Sequence, residues 1–271
     1  MRHLCTYLIT SFLLLSNLGT LALSENNNDR EIENTAFRRG ERLIYRAAYN
    51  SRLTGNIYAG EASLEIKSGN HMENGRSIMH VVGKANTTGL FNFFFKVENR
   101  YDSYIDEQNM APLRFSRNIR EGRYRREDDV VFDWQENLAY SSRDTISTPP
   151  FVQDMISSIY FARTFSMESV EPGDAFYLDF HLSDSVYVSR IVFEGYEQIK
   201  TSLGTFNTLK FKPQVMEGTW FDQPYPMTLW ISDDDNKIPL LVESGLVVGS
   251  VRLELIQFGG LKNTIRSFVP N

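Results

Sequence analysis

A chain of 271 residues with 42% hydrophobic and 23% charged residues has the balance of a folded globular protein, which excludes collagen-like, low-complexity and wholly disordered classes. Its 28 Lys and Arg face 34 Asp and Glu for a formal charge of −6, so no positive excess is available to neutralise nucleic-acid phosphates and that class of partner is disfavoured. Aromatic residues reach 13%, a share that pleated, half-buried surfaces absorb more readily than a helical bundle does.

Arg2 and His3 precede an apolar run from Leu4 to Leu15, and the stretch Leu18 to Ser24 ends in small residues, the pattern of a secretory leader over residues 1–24. Cleavage after Ala22 or after Ser24 satisfies the small-residue rule, with Ser24 preferred, and predicts a periplasmic or secreted product. Thr10, Ser11, Ser16 and Asn17 interrupt the run, whereas an uncleaved anchor needs about 20 apolar residues. No later stretch is long and apolar enough to span a bilayer, so an integral membrane protein is not expected. The sole cysteine, Cys5, lies inside the leader, which leaves the mature chain no thiol for a disulfide, a Cys-ligated metal or a lipid anchor. Losing Arg2 with the leader makes the mature chain more negative still, which argues against a polybasic membrane-surface module.

Residues 25–36, rich in Asn and Glu, read as a flexible mature N-terminus, and residues 37–271 as one β-rich domain. Period-two alternation marks strands at Leu43, Tyr45, Ala47 and Tyr49, at Ile78, His80 and Val82, and at Tyr187, Ser189, Ile191 and Phe193. Turn signals such as Ser68-Gly69-Asn70, Glu121-Gly122 and Gly259-Gly260 recur about every ten residues, as in an antiparallel meander. Between Thr148-Pro149-Pro150 and Arg163, the i, i+4 rows Phe151, Met155, Ile159 and Val152, Ile156, Tyr160 predict one amphipathic helix over about 150–163. The fold class is therefore mainly β: one curved antiparallel sheet or open barrel of about 14 short strands, with that single helix against it.

Three segments carry a family likeness. Phe37-Arg38-Arg39-Gly40-Glu41-Arg42-Leu43-Ile44-Tyr45, Tyr101-Asp102-Ser103-Tyr104-Ile105-Asp106, and Leu229 to Pro239 followed by Val248-Gly249-Ser250-Val251 resemble domain of unknown function 3108, a family of exported bacterial envelope proteins. The resemblance runs from about Phe37 to Leu261 and implies an exported, β-rich, single-domain protein, with no activity, cofactor or site attached. By pattern alone, the chain is also similar to curved-sheet lipoprotein carriers in which a sheet wraps a helix around an apolar cavity.

Catalytic, metal-binding and nucleotide-binding motifs are largely missing from the sequence. His71, His80 and His181 show no metal-ligand spacing, and no nucleophile elbow, phosphate-binding loop or dinucleotide fingerprint is present, so no metal or cofactor is implied. The acidic run Asp233-Asp234-Asp235 lacks the spacing of a calcium loop and reads as a solvated hairpin tip. Arg117 to Asp129 reads as mixed-sign cross-strand pairing on an exposed face, with an anion site at Arg123 and Arg125 as the alternative. Acids beside aromatics at Tyr101-Asp102, Asp133-Trp134 and Trp220-Phe221-Asp222 keep a carbohydrate-active enzyme as a third reading.

Phe91, Phe93 and Phe95 fall on one face of a predicted strand, and with Met155 and Ile159 across from them would line a space between sheet and helix. This favours a non-catalytic envelope protein that binds a lipid or other apolar or amphipathic ligand there. The alternative is a structural or interaction protein with a filled core that works with another envelope protein.

Overall fold

The computed structural model describes residues 30–52, 55–73, 75–214, 225–246 and 249–270. Its strands are β1 (Arg42–Ser51), β2 (Gly55–Ile66), β3 (His71–Glu73), β4 (Arg76–Thr87), β5 (Glu98–Asp106), β6 (Pro112–Glu121), β7 (Tyr124–Asp133), β8 (Leu138–Ser141) and β9 (Thr145–Ser147) in the first half. The second half holds β10 (Ala175–His181), β11 (Val186–Thr201), β12 (Gly204–Pro213), β13 (Met227–Ser232), β14 (Pro239–Gly245), β15 (Ser250–Gly259) and β16 (Phe268–Val269). Two six-residue helices, α1 (Gly89–Phe94) and α2 (Ser157–Ala162), interrupt them.

All strands join one antiparallel sheet in the order β10-β11-β12-β13-β14-β15-β1-β2-β4-β5-β6-β7-β8-β9, with β16 on β12 and β3 on β4. The expected meander is present, and the pairing of β1 with β15 joins its two halves. Register shifts in β1 at Ile44/Tyr45 and Ala47/Ala48, in β5 at Tyr104/Ile105 and in β11 at Phe193/Gly195 add local twist and curl the sheet. Gly195 takes φ +122 at its bulge, a conformation that L side chains rarely adopt.

The curled sheet encloses its core. One cluster gathers Phe37, Ile66, Met79, Val81, Ile105, Phe115, Val130 and Phe132 around Val152, Ile156 and Tyr160, and a second gathers Leu43, Tyr45, Phe206, Trp230, Leu240 and Leu255. On β4 it is Met79 and Val81 that enter the first cluster, while Ile78 and Val82 on the other face are also buried. A strand buried on both faces defeats an inside-outside assignment from alternation.

The helix expected over 150–163 is confined to Ser157–Ala162. Phe151 has φ +56, and Gln153 pairs as a strand residue with Phe180 of β10, so the chain before Asp154 is not helical. Asp154 then takes the N–H groups of Ile156 and Ser157 at 2.7 and 2.8 Å, and Ser157 Oγ accepts the Asp154 N–H at 2.8 Å, which satisfies donors of the first turn. This segment lies directly on the sheet: a Cβ on Gly83 would stand 2.8 Å from Ile156 Cδ1, so any side chain there would force the Ile156 side chain to shift.

The run Gly89 to Phe95 departs from the predicted strand. It must turn β4 into its antiparallel neighbour β5, and Thr87 Oγ1 donates to Asn92 Oδ1 at 2.9 Å while accepting the Val97 N–H at 2.8 Å. These bonds close a helical turn whose aromatic content imitates a strand over a few residues.

Candidate functional site

The centre of the molecule is polar and paired. Arg163, at the end of α2, is fully buried and donates two bonds to Glu41 at 2.6 and 2.8 Å and two to the Asn236 carbonyl at 3.2 and 2.9 Å. Its guanidinium stands over the rings of Phe37 and Tyr160. Burial works against the Arg163 charge, and the Glu41 carboxylate overrides it. Ser103 donates to Asp154 at 2.5 Å from β5. Each of the three sequence segments singled out above thus supplies one tie to the 154–163 segment: Glu41 from the first, Ser103 from the second, Asn236 from the third.

The acidic run at the β13–β14 turn serves this knot. Asp234 accepts bonds from Ser232 Oγ, the Asn236 N–H and the backbone and hydroxyl of Ser267, and Asn236 is buried against Asn263. Asp233 and Asp235 are exposed, so only part of the expected solvated tip is solvated. Among the described residues no group of three or more His, Cys, Asp and Glu is arranged to hold a metal ion.

A groove of about 440 Å³ crosses the outer face of β5, β6 and β7. Tyr101 and Ile105 of β5, Phe115 of β6 and Val130 and Phe132 of β7 pack inward, so their alternating neighbours face out. Register then sets two polar rows side by side: Asp102 beside Ser116 beside Asp129, and Arg100 beside Asn118 beside Glu127. Arg117, Asp128 and Ser142 complete the lining. Arg100 grips Asp102 through two bonds of 2.7 Å, Arg114 grips Asp129 at 2.8 and 2.5 Å, and Asn118 donates to Glu127 at 2.7 Å. His80 bonds Asp102 at 2.8 Å and stacks on Tyr104 with ring centroids 4.4 Å apart.

Burial pushes the Asp102 carboxyl up, but bonds from Arg100 and His80 hold it below the usual carboxylate range. Asp128 behaves alike, gripped by Arg117 at 2.5 Å, Arg126 at 2.6 Å and Arg143 at 2.8 Å, and Asp129 is held down by Arg114. The groove offers fixed guanidinium, amide and carboxylate planes beside a stacked ring pair, a surface suited to hydrogen-bonding a polar partner. Cross-strand pairing of Arg117 to Asp129 is present as read, with one correction: Arg117 and Asp128 are half-buried, facing the β10–β11 turn through the bond from Arg117 to Ser183. Arg125 is turned to the Gly122 and Tyr124 carbonyls, and Arg123 is exposed.

Among the described side chains, Phe93 and Phe95 stand apart from Met155 and Ile159, which were expected to line an apolar space with them. Phe91 and Phe93 lie on α1 and Phe95 just after it, and the side chain of Phe91 is outside the described residues. Phe93 is 86% exposed, and Phe95 is 46% exposed with its ring against Gly122 at the β6–β7 turn. Met155 packs against the first core cluster with its sulfur 4.0 Å from Arg117, and Ile159 is half-buried. His181 is buried, edge-on to Phe132, and burial lowers its pKa; His71 is exposed beside Tyr104. The leader and Trp220-Phe221-Asp222 lie outside the described residues. Sequence reading missed the outer groove, whose signal was the polar alternation of β5 to β7, and the Glu41 and Arg163 pair, which sit 122 residues apart.

Among solved structures, the chain is similar to a β-barrel-like protein of domain of unknown function DUF1849 from Brucella abortus, at 12% identity, a TM-score of 0.57, and coverage of 83% of this chain and 99% of that one. A protein described as a lipoprotein from Parabacteroides distasonis (11% identity, 85% and 100% coverage, TM-score 0.35) and an exported protein with YmcC-like fold from Bacteroides fragilis (11%, 85% and 99%, TM-score 0.31) are more distant. Only the first of these supports a shared fold. No curated protein sequence matches. A family model, protein of unknown function DUF3108, matches residues 44–256, the span from the first strand to the last long one, and the chain belongs to that family.

Proposed function

We propose that this is an exported, non-catalytic envelope protein with a filled interior, which meets its partner through the polar groove on β5 to β7. The observation that carries this reading is the packing of the 152–163 segment: Val152, Ile156 and Tyr160 are buried in one cluster with Phe37, Met79 and Ile105, and Phe37 meets Tyr160 edge-on at 4.9 Å. An apolar carrier would keep that space for ligand. The groove carboxylates also favour binding over hydrolysis, because a glycoside hydrolase needs one acid raised towards neutrality. Asp102 and Asp129 are held low, while the carboxyl raised to about 6, Asp154, is inside the core. Export rests on the leader pattern of residues 1–24 and on the family likeness.

The test combines a fluorescent fatty acid with unfolding of Ile156→Ala. A filled interior predicts no saturable binding by the wild type and a cost of about 2–5 kcal/mol for emptying the site. Stoichiometric fatty-acid binding, lost in the variant without that cost, would overturn the reading in favour of a carrier.

A further inference from the structure

At one end of the sheet, two connections that are distant in sequence meet. The Gly122 N–H donates to the Lys96 carbonyl at 2.8 Å, Val97 and Glu121 form a bridge, and the Phe95 ring lies against Gly122. The α1 turn and the β6–β7 tip therefore form one surface. It carries three exposed rings, Phe93 on α1 at 86%, Phe95 just after it at 46% and Tyr124 at the start of β7 at 53%, grouped at one end of the sheet. Around them stand Lys96, Arg120, Arg123 and Arg125, all exposed. Lys96 pairs with Glu98 at 2.7 Å, and the second carboxylate of the surface, Glu121, accepts from Asn99. Among the described residues none of Arg120, Arg123 and Arg125 contacts a carboxylate; Arg120 bonds Asn118, and Arg125 bonds backbone carbonyls through one nitrogen.

We propose that this surface docks on an anionic phospholipid bilayer, with Phe93, Phe95 and Tyr124 entering the headgroup layer and the arginines meeting lipid phosphates. Exposed aromatic rings supply interfacial affinity, and basic side chains beside them add attraction to anionic lipid, the two signals that reversible membrane association requires. The chain as a whole carries −6, but here four basic side chains, Lys96, Arg120, Arg123 and Arg125, stand around only two carboxylates, Glu98 and Glu121, so the surface itself is net positive. A single-stranded nucleic acid would need a groove that tracks its backbone, whereas this is a turn tip. The inference is independent of the polar groove on β5 to β7, and failure of either leaves the other standing.

The described fold lies within residues 30–270, so the test uses the chain from Glu25 to Asn271 and sedimentation with vesicles of phosphatidylcholine alone or mixed with phosphatidylglycerol. The wild type should sediment with the mixed vesicles, be released by high salt, and bind pure phosphatidylcholine at least about tenfold more weakly. Phe93→Ser with Phe95→Ser, and separately the reversal of Arg120, Arg123 and Arg125 to Glu, should each weaken binding to mixed vesicles about tenfold or more at an unchanged unfolding midpoint. If Phe95→Ser disturbs the Gly122 contact, Phe93→Ser alone replaces the double variant. Tyr177→Ser, which removes a 65%-exposed ring on β10, should leave binding intact. Equal sedimentation with both vesicle types, sedimentation with neither, or wild-type affinity in the folded Phe93→Ser protein would overturn the proposal.

Discussion

At the scale of single residues, the polar groups inside the sheet decide more than the apolar ones. Glu41 and Arg163 are both desolvated, and the pair survives because four bonds satisfy the guanidinium. Glu41→Gln strands that charge and should cost about 3–5 kcal/mol in denaturant unfolding, whereas Glu41→Leu combined with Arg163→Met should cost less than Glu41→Gln alone. A double variant that loses as much stability as Glu41→Gln, or more, would show that the two side chains do not act as a pair. The Tyr45 hydroxyl is buried with no hydrogen-bond partner among the described residues, and burial pushes its pKa up. Tyr45→Phe should therefore be neutral or stabilising by about 1–2 kcal/mol; a clear loss of stability would reveal a bond made by that oxygen.

Asp154 gives the clearest pH signature. Burial pushes its carboxyl up to about 6, although Ser103 and two backbone N–H groups stabilise the charged form. The folded state thus holds this proton more tightly than the unfolded state does. Its stabilising share is complete below the unfolded value of about 4 and falls away as pH rises through about 6, by roughly 3 kcal/mol for a shift of about two units. Asp102, Asp128 and Asp129 act in the opposite sense, because their depressed values add stability that is present above about pH 4 and lost as pH falls through them. Asp154→Asn keeps an acceptor for the two N–H groups and should match the wild type near pH 4 and exceed it near pH 7. Parallel stability curves between those values would refute the assignment.

At the scale of elements, what could be read in advance follows from which signals are local. The two-residue turn Gly122-Arg123, one position beyond the Glu121-Gly122 signal, sets the register of β6 on β7 and with it the pairs Arg117 with Asp128 and Asn118 with Glu127. Strand content and the open antiparallel sheet were legible for the same reason. Two segments were not. The Phe91 to Phe95 stretch has strand-like alternation, but a reversal between antiparallel neighbours must occupy those positions, and Thr87 and Asn92 close it as a turn. The 150–163 stretch has helical periodicity over its whole length, yet Gln153 is claimed by β10 and Phe151 sits at positive φ, so tertiary pairing overrides propensity over its first half. The groove was illegible because it depends on the registers of β5 on β6 and β6 on β7 together, and only the second has a short turn to set it.

At the scale of the molecule, a sheet this wide must either close or protect its edges, since bare edge strands invite pairing with other chains. The two edges here are β9 and β10, and the 148–156 segment leaving β9 covers the C-terminal end of β10: the Gln153 N–H donates to the Asp179 carbonyl at 2.9 Å and the His181 N–H to the Gln153 carbonyl at 2.7 Å. Side chains extend the closure, with Arg117 bonded to Ser183 and Ser141 to Asp184 across the gap. The cover is anchored at Asp154 by Ser103 and at Ile156 by the core, so edge protection and central packing are one cooperative unit. Native-state hydrogen exchange should therefore find the Gln153 and His181 amides protected like those of interior strands. In Ile156→Ala both amides should exchange faster together, by at least about tenfold per 1.4 kcal/mol lost, through an opening that leaves β12 to β15 protected. Fast exchange of His181 in the wild type would mean that β10 is an open edge, and acceleration of all strands alike in the variant would mean that the closure opens only with global unfolding.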